Sequence, residues 1–333
     1  MSPMPGPAPI SATLSGASTF TESMAKQGIQ IMKSLRTPDR RFTDLPDYPF
    51  APNYVDVSDQ DGGQLRVHYL DEGPADSAPI LCMHGEPSWS YLYRKMIPLL
   101  VAAGHRVIAP DLVGFGRSDK PSETSDYTYD RHVAWMHEAL IDQLDLRGVT
   151  FFGQDWGGLI GLRLVAANPD RFDRVIIGNT GLPTGNGKPS KAFLEWQKFS
   201  QTTLVFDVGF LVNRATNTEL SVAEIAAYDA PFPDDTYKAG ARIFPALVPT
   251  APDDPAVAAN QEAWKVFEQW TKPFITAFSD GDPVSAGGDA PFIKRVPGAA
   301  GQPHVTVNNA NHFFQEDAAS QLSQIIIDAI AAA

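Results

Sequence analysis

A mainly parallel α/β sheet flanked by helices, with a helical insertion, is the fold class this sequence predicts. Three observations predict it. Short β-type runs alternate with helix-type stretches through the first half of the chain. The alternation stops after Asn179, and strand character returns only at Pro273–Phe278. Finally, the junction Val149-Thr150-Phe151-Phe152-Gly153-Gln154-Asp155-Trp156-Gly157-Gly158 joins an apolar strand-like run to a small-residue helix pattern through Gly-x-Asp-x-Gly.

The first thirty or so of the 333 residues are rich in Pro, Ala, Ser and Thr and lack the basic start and apolar run of a secretory signal. Residues 1–31 are expected to be a flexible arm without chemistry. Strands are expected at Tyr54–Ser58, Leu65–Leu70, Ile80–Met83 and Arg106–Ala109, separated by turns such as Asp61-Gly62-Gly63. Apolar spacing predicts a helix over Tyr91–Ala103, ending at Gly104. Strand and helix then alternate through Val133–Leu144, Val149–Phe152, Leu159–Ala167 and Val175–Gly178. Residues 183–250 are aromatic and Pro-rich, with helix-like pieces at Ala192–Phe199, Ser221–Tyr228 and Tyr237–Arg242. They are expected to form a helical cap inserted after the sixth strand, leaving residues 32–182 and 251–333 as the core. A strand at Val305–Asn308 and a final helix with Leu322, Ile325, Ile326, Ala329 and Ile330 on one face complete the chain.

Composition narrows the function. Lys and Arg number 26 against 39 Asp and Glu, a net charge of −13, which argues against nucleic acid or anionic membranes as partners. The single cysteine, Cys82, lies in an apolar run and reads as a buried hydrophobe. No segment approaches the ~20 apolar residues of a membrane-spanning helix. No Cys/His spacing suits a metal, so neither metal nor organic cofactor is expected. A cytoplasmic monomer fits these features.

The Gly-x-Asp-x-Gly junction has the form of a nucleophile elbow, a strained strand-to-helix turn that lifts one side chain above the sheet. Its central residue is Asp155 rather than serine. A serine nucleophile needs a base to remove its proton, whereas an aspartate with an ordinary pKa of about 3.9 is already anionic at neutral pH. A carboxylate displaces a leaving group at saturated carbon and forms an alkyl ester, so alkyl halides or strained epoxides are the natural substrates. Gly-x-Asp-x-Gly alone also describes an aspartate in an ordinary loop, so other segments must decide.

Three of them fall where an α/β-hydrolase architecture places its site. His84-Gly85-Glu86-Pro87 follows the strand ending at Met83, and there the amides of Glu86 and Trp156 would form the oxyanion hole. His84 reads as a structural residue beside the turn. Phe278-Ser279-Asp280-Gly281-Asp282-Pro283 offers two acids to orient a histidine; Asp282 is preferred because it sits further beyond the strand end. Asn308-Asn309-Ala310-Asn311-His312 supplies the base, and the order Asp155, Asp282, His312 is that of nucleophile, acid and histidine. The remaining histidines read as surface or packing residues. The indole N–H of Trp156 is suited to hold a departing halide in a water-poor pocket, and Trp196, the cap's one tryptophan, offers a second donor.

With HGEPSWSYLYRKM (84–96), DLVGFGRSDKP (111–121), GQDWGG (153–158), AYDAPFPD (227–234) and NANHFFQE (309–316), the chain resembles a haloalkane dehalogenase of the α/β-hydrolase superfamily from about Arg36 onward. It resembles the subfamily with its catalytic acid after the seventh strand and a halide-binding cap Trp. The resemblance implies Asp155 as nucleophile, His312 as base for the hydrolytic water, Asp282 as its partner, and Trp156 and Trp196 as halide ligands. It also implies Phe193, Phe232 and Pro233 as apolar pocket residues. Substrate and product ligands would be a small apolar haloalkane and a halide ion. Two alternatives stand beside it: an epoxide hydrolase using cap tyrosines such as Tyr228 and Tyr237, and a non-catalytic ligand-binding descendant of the fold.

Overall fold

The structure is a computed structural model describing residues 1–2 and 32–332; the arm expected over residues 1–31 lies, from residue 3 on, outside the described residues. Strands occur at β1 (Ser34–Leu35), β2 (Asn53–Ser58), β3 (Gln64–Glu72), β4 (Pro79–Met83), β5 (Arg106–Pro110), β6 (Lys120–Pro121), β7 (Val149–Gln154), β8 (Phe172–Gly178), β9 (Phe274–Ser279) and β10 (Val305–Val307). Eight of them form one sheet in the order β10-β9-β8-β7-β4-β5-β3-β2. Pairing is parallel from β10 to β5 and antiparallel from β5 through β3 to β2. β4 and β7, the two strands that lead into the loops of interest, are buried along their whole length. Such strands, covered on both faces, read as continuous apolar runs instead of alternating ones.

The helices are α1 (Ile97–Ala102), α2 (Tyr129–His137), α3 (Asp155–Ala167), α4 (Lys191–Thr202), α5 (Val208–Arg214), α6 (Val222–Asp229), α7 (Ala239–Ile243), α8 (Val257–Phe267), α9 (Ala290–Arg295) and α10 (Phe314–Ala331). The helix expected over Tyr91–Ala103 divides into a 3-10 turn, Ser90–Tyr93, and α1. Pro98 stands in the first turn of α1, where its missing N–H costs nothing, but it could not have continued a longer helix. The stretch Val133–Leu144 lies in α2 and a π-type turn over Glu138–Gln143. Ser221 caps α6 by accepting from Glu224 N, and the Glu224 side chain accepts from Ser221 N in return, a reciprocal capping box.

From α4 to α7 the chain is helical and leaves the sheet, and it is tied back by polar contacts. Arg94, on the loop before α1, bonds Glu224 of α6 at 2.6 Å and Glu316 of α10, and the Tyr228 hydroxyl donates to the same Glu316. From the N-terminal side, Thr37 Oγ1 donates to Pro231 O at 2.6 Å and Arg41 Nε to Ala230 O at 2.7 Å. The segment Arg36–Phe42 therefore braces the inserted helices. No helix among the described residues is long and apolar enough to cross a membrane.

Candidate active site

Asp155 is the first residue of α3 and has φ +50°, the left-handed region that a non-glycine residue adopts only under local constraint. The constraint is the turn from β7 into α3, which drops the helix onto the loop after β4. Gly157 and Gly85 permit this approach: a Cβ on Gly157 would lie 2.0 Å from Met83 O, and one on Gly85 would lie 2.3 Å from Asp155 Cβ.

The turn turns the Asp155 carboxylate toward two backbone amides. Glu86 N–H donates to Oδ1 at 2.8 Å, and the Trp156 amide, next in the chain, favours the carboxylate's charge. The Thr180 hydroxyl bonds Asp155 O at 2.7 Å and fixes the turn from the β8 side. Burial raises the Asp155 carboxyl above its ordinary pKa, opposed by the His312 charge and by the two amides.

His312 follows β10 and is buried. Its Nε2 lies 3.7 Å from Asp155 Oδ2, and its Nδ1 bonds Asp282 Oδ2 at 3.0 Å. Asp282 follows β9; it also accepts from Val284 N at 2.9 Å and from the Ser285 hydroxyl. Burial would raise the Asp282 carboxyl, but the His312 charge and these bonds outweigh it and hold the group below its ordinary value. For His312 the balance runs the other way: burial lowers its pKa, but the Asp282 charge and bond, with the Asp155 charge, raise it to about 9. Asp280, the competing acid, instead accepts from Ala310 N at 3.3 Å and serves the turn between β9 and the His312 loop.

His84 occupies the place expected of a structural residue. Its Nδ1 donates to Gly85 O at 2.9 Å and its Nε2 accepts from Leu112 N at 2.9 Å, so both nitrogens are used in holding the loop. Of the other histidines, His68 is buried and paired with Asp111 at 2.7 Å, which is more than packing.

Trp156 is buried against Phe244 and Tyr129, with ring centroids 4.7 Å and 5.1 Å away. Trp196 lies on α4, half-buried, beside Phe199 and Phe206 at 5.7 Å and 5.9 Å. A cavity of about 470 Å³ opens over Asp155 and His312; Leu182, Phe193, Val248, Trp264 and Phe292 form much of its apolar wall. Phe193 is one of the residues that line it. Phe232 and Pro233 are not among its lining residues: Phe232 packs edge-on against Phe115 at 6.5 Å, and Pro233 stands in the turn after α6. Neither Trp156 nor Trp196 borders this cavity, and neither Tyr228 nor Tyr237 does.

Several site residues escaped the reading of the sequence. Asn179, at the end of β8, donates to Asn311 O at 3.1 Å and His312 O at 3.0 Å, and its Oδ1 accepts from Ser279 N at 2.9 Å. It ties the loops after β9 and β10 together. Gln154 places its side-chain amide 3.0 Å from His312 Nε2. A single Asn or Gln at a strand end carries no motif, so nothing in the sequence marked them.

All four loops leave the C-terminal ends of parallel strands, where open α/β sheets bind ligands. A family model for the alpha/beta hydrolase fold matches residues 78–319. A haloalkane dehalogenase of Psychrobacter cryohalolentis is 60% identical over 299 residues, covering 90% of this chain and 98% of the relative. Haloalkane dehalogenase 1 of Mycobacterium tuberculosis is 54% identical over 293 residues, covering 88% and 97%. Among solved structures, the tetrameric haloalkane dehalogenase of Paraglaciecola agarilytica superposes with a TM-score of 0.81 at 39% identity, over 91% of this chain and 99% of that one. With a carboxylate at the elbow, a histidine beside it and these relatives along nine-tenths of its length, the chain belongs to the haloalkane dehalogenases, hydrolases of carbon–halide bonds built on the α/β-hydrolase fold.

Proposed function

We propose that Asp155, His312 and Asp282 carry the cleavage of a haloalkane to alcohol, halide and proton through an alkyl ester on Asp155. The observation that carries this reading is the division of the Asp155 carboxylate: Oδ1 faces the Glu86 amide at 2.8 Å, while Oδ2 faces His312 at 3.7 Å. Oδ2 attacks the carbon and the halide departs with the bonding electrons. Oδ1 becomes the ester carbonyl, already seated on amides that stabilise its charge when water attacks. Esterification also removes the Asp155 charge, one of the influences that keep His312 protonated, so the histidine becomes a base at the step that needs one. His312 takes a proton from water, hydroxide adds to the ester carbon, and the alcohol leaves as Asp155 is restored.

The inserted helices act as a cap over the cavity, and Trp156 and Trp196 hold the departing halide. An apolar wall including Leu182, Phe193 and Phe292 suits a haloalkane. The epoxide-hydrolase alternative loses support because the Tyr228 hydroxyl is committed to Glu316. We retain the cytoplasmic monomer as the working state; light scattering should give the chain mass of 36.1 kDa, and a tetramer, the assembly described for the Paraglaciecola relative, would replace it.

The decisive experiment is His312→Phe with a bromoalkane. Displacement needs no base, so about one bromide per site should be released and the alkyl group should remain on the peptide carrying Asp155 by mass spectrometry. Sustained turnover, or an adduct elsewhere, would overturn the assignment.

A further inference from the structure

The Gln154 side chain directs its polar contacts at one residue. Gln154 ends β7, one place before Asp155, and is fully buried. It stands at the N-cap position of α3 yet makes no side-chain cap bond there. Its Nε2 lies 3.0 Å from His312 Nε2 and donates to His312 O at 3.3 Å. Its Oε1 is buried and has no hydrogen-bond partner among the described residues. Asp155 Oδ2 is further from the same ring nitrogen, at 3.7 Å, beyond hydrogen-bond reach. Gln154 is thus closer to the base nitrogen than the nucleophile is. An unbonded amide oxygen in the interior destabilises the fold, which points to a use of this side chain in the chemistry.

We propose that Gln154 is a positioning residue for the hydrolytic half of the reaction, its amide seating the Nε2 edge of His312 as the Asp282 carboxylate seats the Nδ1 edge. This inference rests on the reading of His312 as the base. With Nδ1–H given to Asp282 at 3.0 Å, a neutral ring carries its lone pair on Nε2, and the Gln154 NH2 donates to it. A protonated ring needs an acceptor there instead, which Oε1 provides when the amide turns over. One side chain therefore holds the ring in both charge states. Asp155 does not, because its charge is lost on esterification. A bond between neutral groups is readily exchanged for one to water, so the lone pair is oriented without being tied up. Displacement of the halide does not use His312, so the contribution of Gln154 falls on the step that follows.

The test measures the two steps separately with a bromoalkane in Gln154→Met and Gln154→Leu, with folding checked by circular dichroism. Met keeps the length of the side chain and removes both polar ends. The first step is read from the rapid-mixing bromide burst, the second from decay of the alkyl adduct on the Asp155 peptide by mass spectrometry. The burst should stay within about threefold of the native rate, while adduct decay slows by ~10–10²-fold and the ester accumulates during turnover. Equal slowing of both steps, or native adduct decay, would overturn the inference. If neither variant folds, the native enzyme carries the test: the Gln154 side-chain NH2 resonances should shift with the same pH midpoint as the His312 ring. Signals that stay fixed through that titration would overturn it. Normal adduct decay in His312→Phe would remove the reading of His312 as base, and this inference with it. A trapped adduct in His312→Phe beside native decay in Gln154→Met would remove this inference alone.

Discussion

His312 stands between two carboxylates, Asp282 at 3.0 Å and Asp155 at 3.7 Å, and its charge state depends on both. The raised value of about 9 keeps the ring protonated in the free enzyme at neutral pH. Replacing Asp155 by Asn mimics the charge lost on esterification. His312 should then titrate lower by about one unit or more in an imidazole NMR titration of Asp155→Asn. An unchanged value would mean that esterification does not prepare the base. Trp196→Phe separates halide clamping from packing by kinetics: loss of one N–H donor should slow the dehalogenation step by ~10²–10³-fold in a pre-steady-state halide burst, while the apolar shape is kept. An unaltered burst would leave Trp196 as a packing residue.

Asp155, Glu86 and His312 work only if the strands and helices that carry them keep their relative positions. The polar tie between the inserted helices and the rest of the chain is one support. Arg94 and Glu316 have fully buried side chains, and Lys95 adds a bond to Glu316 at 2.7 Å. Truncating Glu316 to Leu would leave the Arg94 guanidinium with Glu224 as its one carboxylate, beside the Tyr91 carbonyl, and the Tyr228 hydroxyl without its acceptor. A loss of about 3 kcal/mol is expected in chemical denaturation, the low end for breaking a buried ion pair because Glu224 remains. A change below about 1 kcal/mol would mean that packing, not this tie, seats the inserted helices.

The molecule also carries an acid-sensitive point outside Asp155, Asp282 and His312. His132 is fully buried among Tyr127, Trp135 and Phe244, neither ring nitrogen has a partner, and burial lowers its pKa to about 3. Below the ordinary value near 6.5 the unfolded chain takes up a proton at this residue and the folded chain does not, until about pH 3. Its contribution to stability therefore falls as the pH drops through that window, by up to about 1.4 kcal/mol per pH unit. Stability measured from pH 7 to pH 4 should decline less steeply in His132→Phe than in the native chain. Parallel curves would show that this histidine is not part of the acid response.

Local signals made the sheet legible in the sequence. Apolar runs bounded by turns marked β4, β7 and β8, and glycines flanking Asp155 marked the elbow, because a strained turn restricts which residues can form it. Helices α5, α8 and α9 went unread: they are short or lie amid turn-rich sequence, and packing stabilises them more than local preference does. By itself the sequence determined the sheet-and-helix order, the Asp at the elbow and the histidine before the last helix, since each is a property of neighbouring residues. Only the tertiary structure showed Asp282 bonded to His312 with Asp280 spent on the turn, and brought Asn179 and Gln154 to His312. Those pairings join residues far apart in the chain, and their partners are chosen by how the strand ends come together in space.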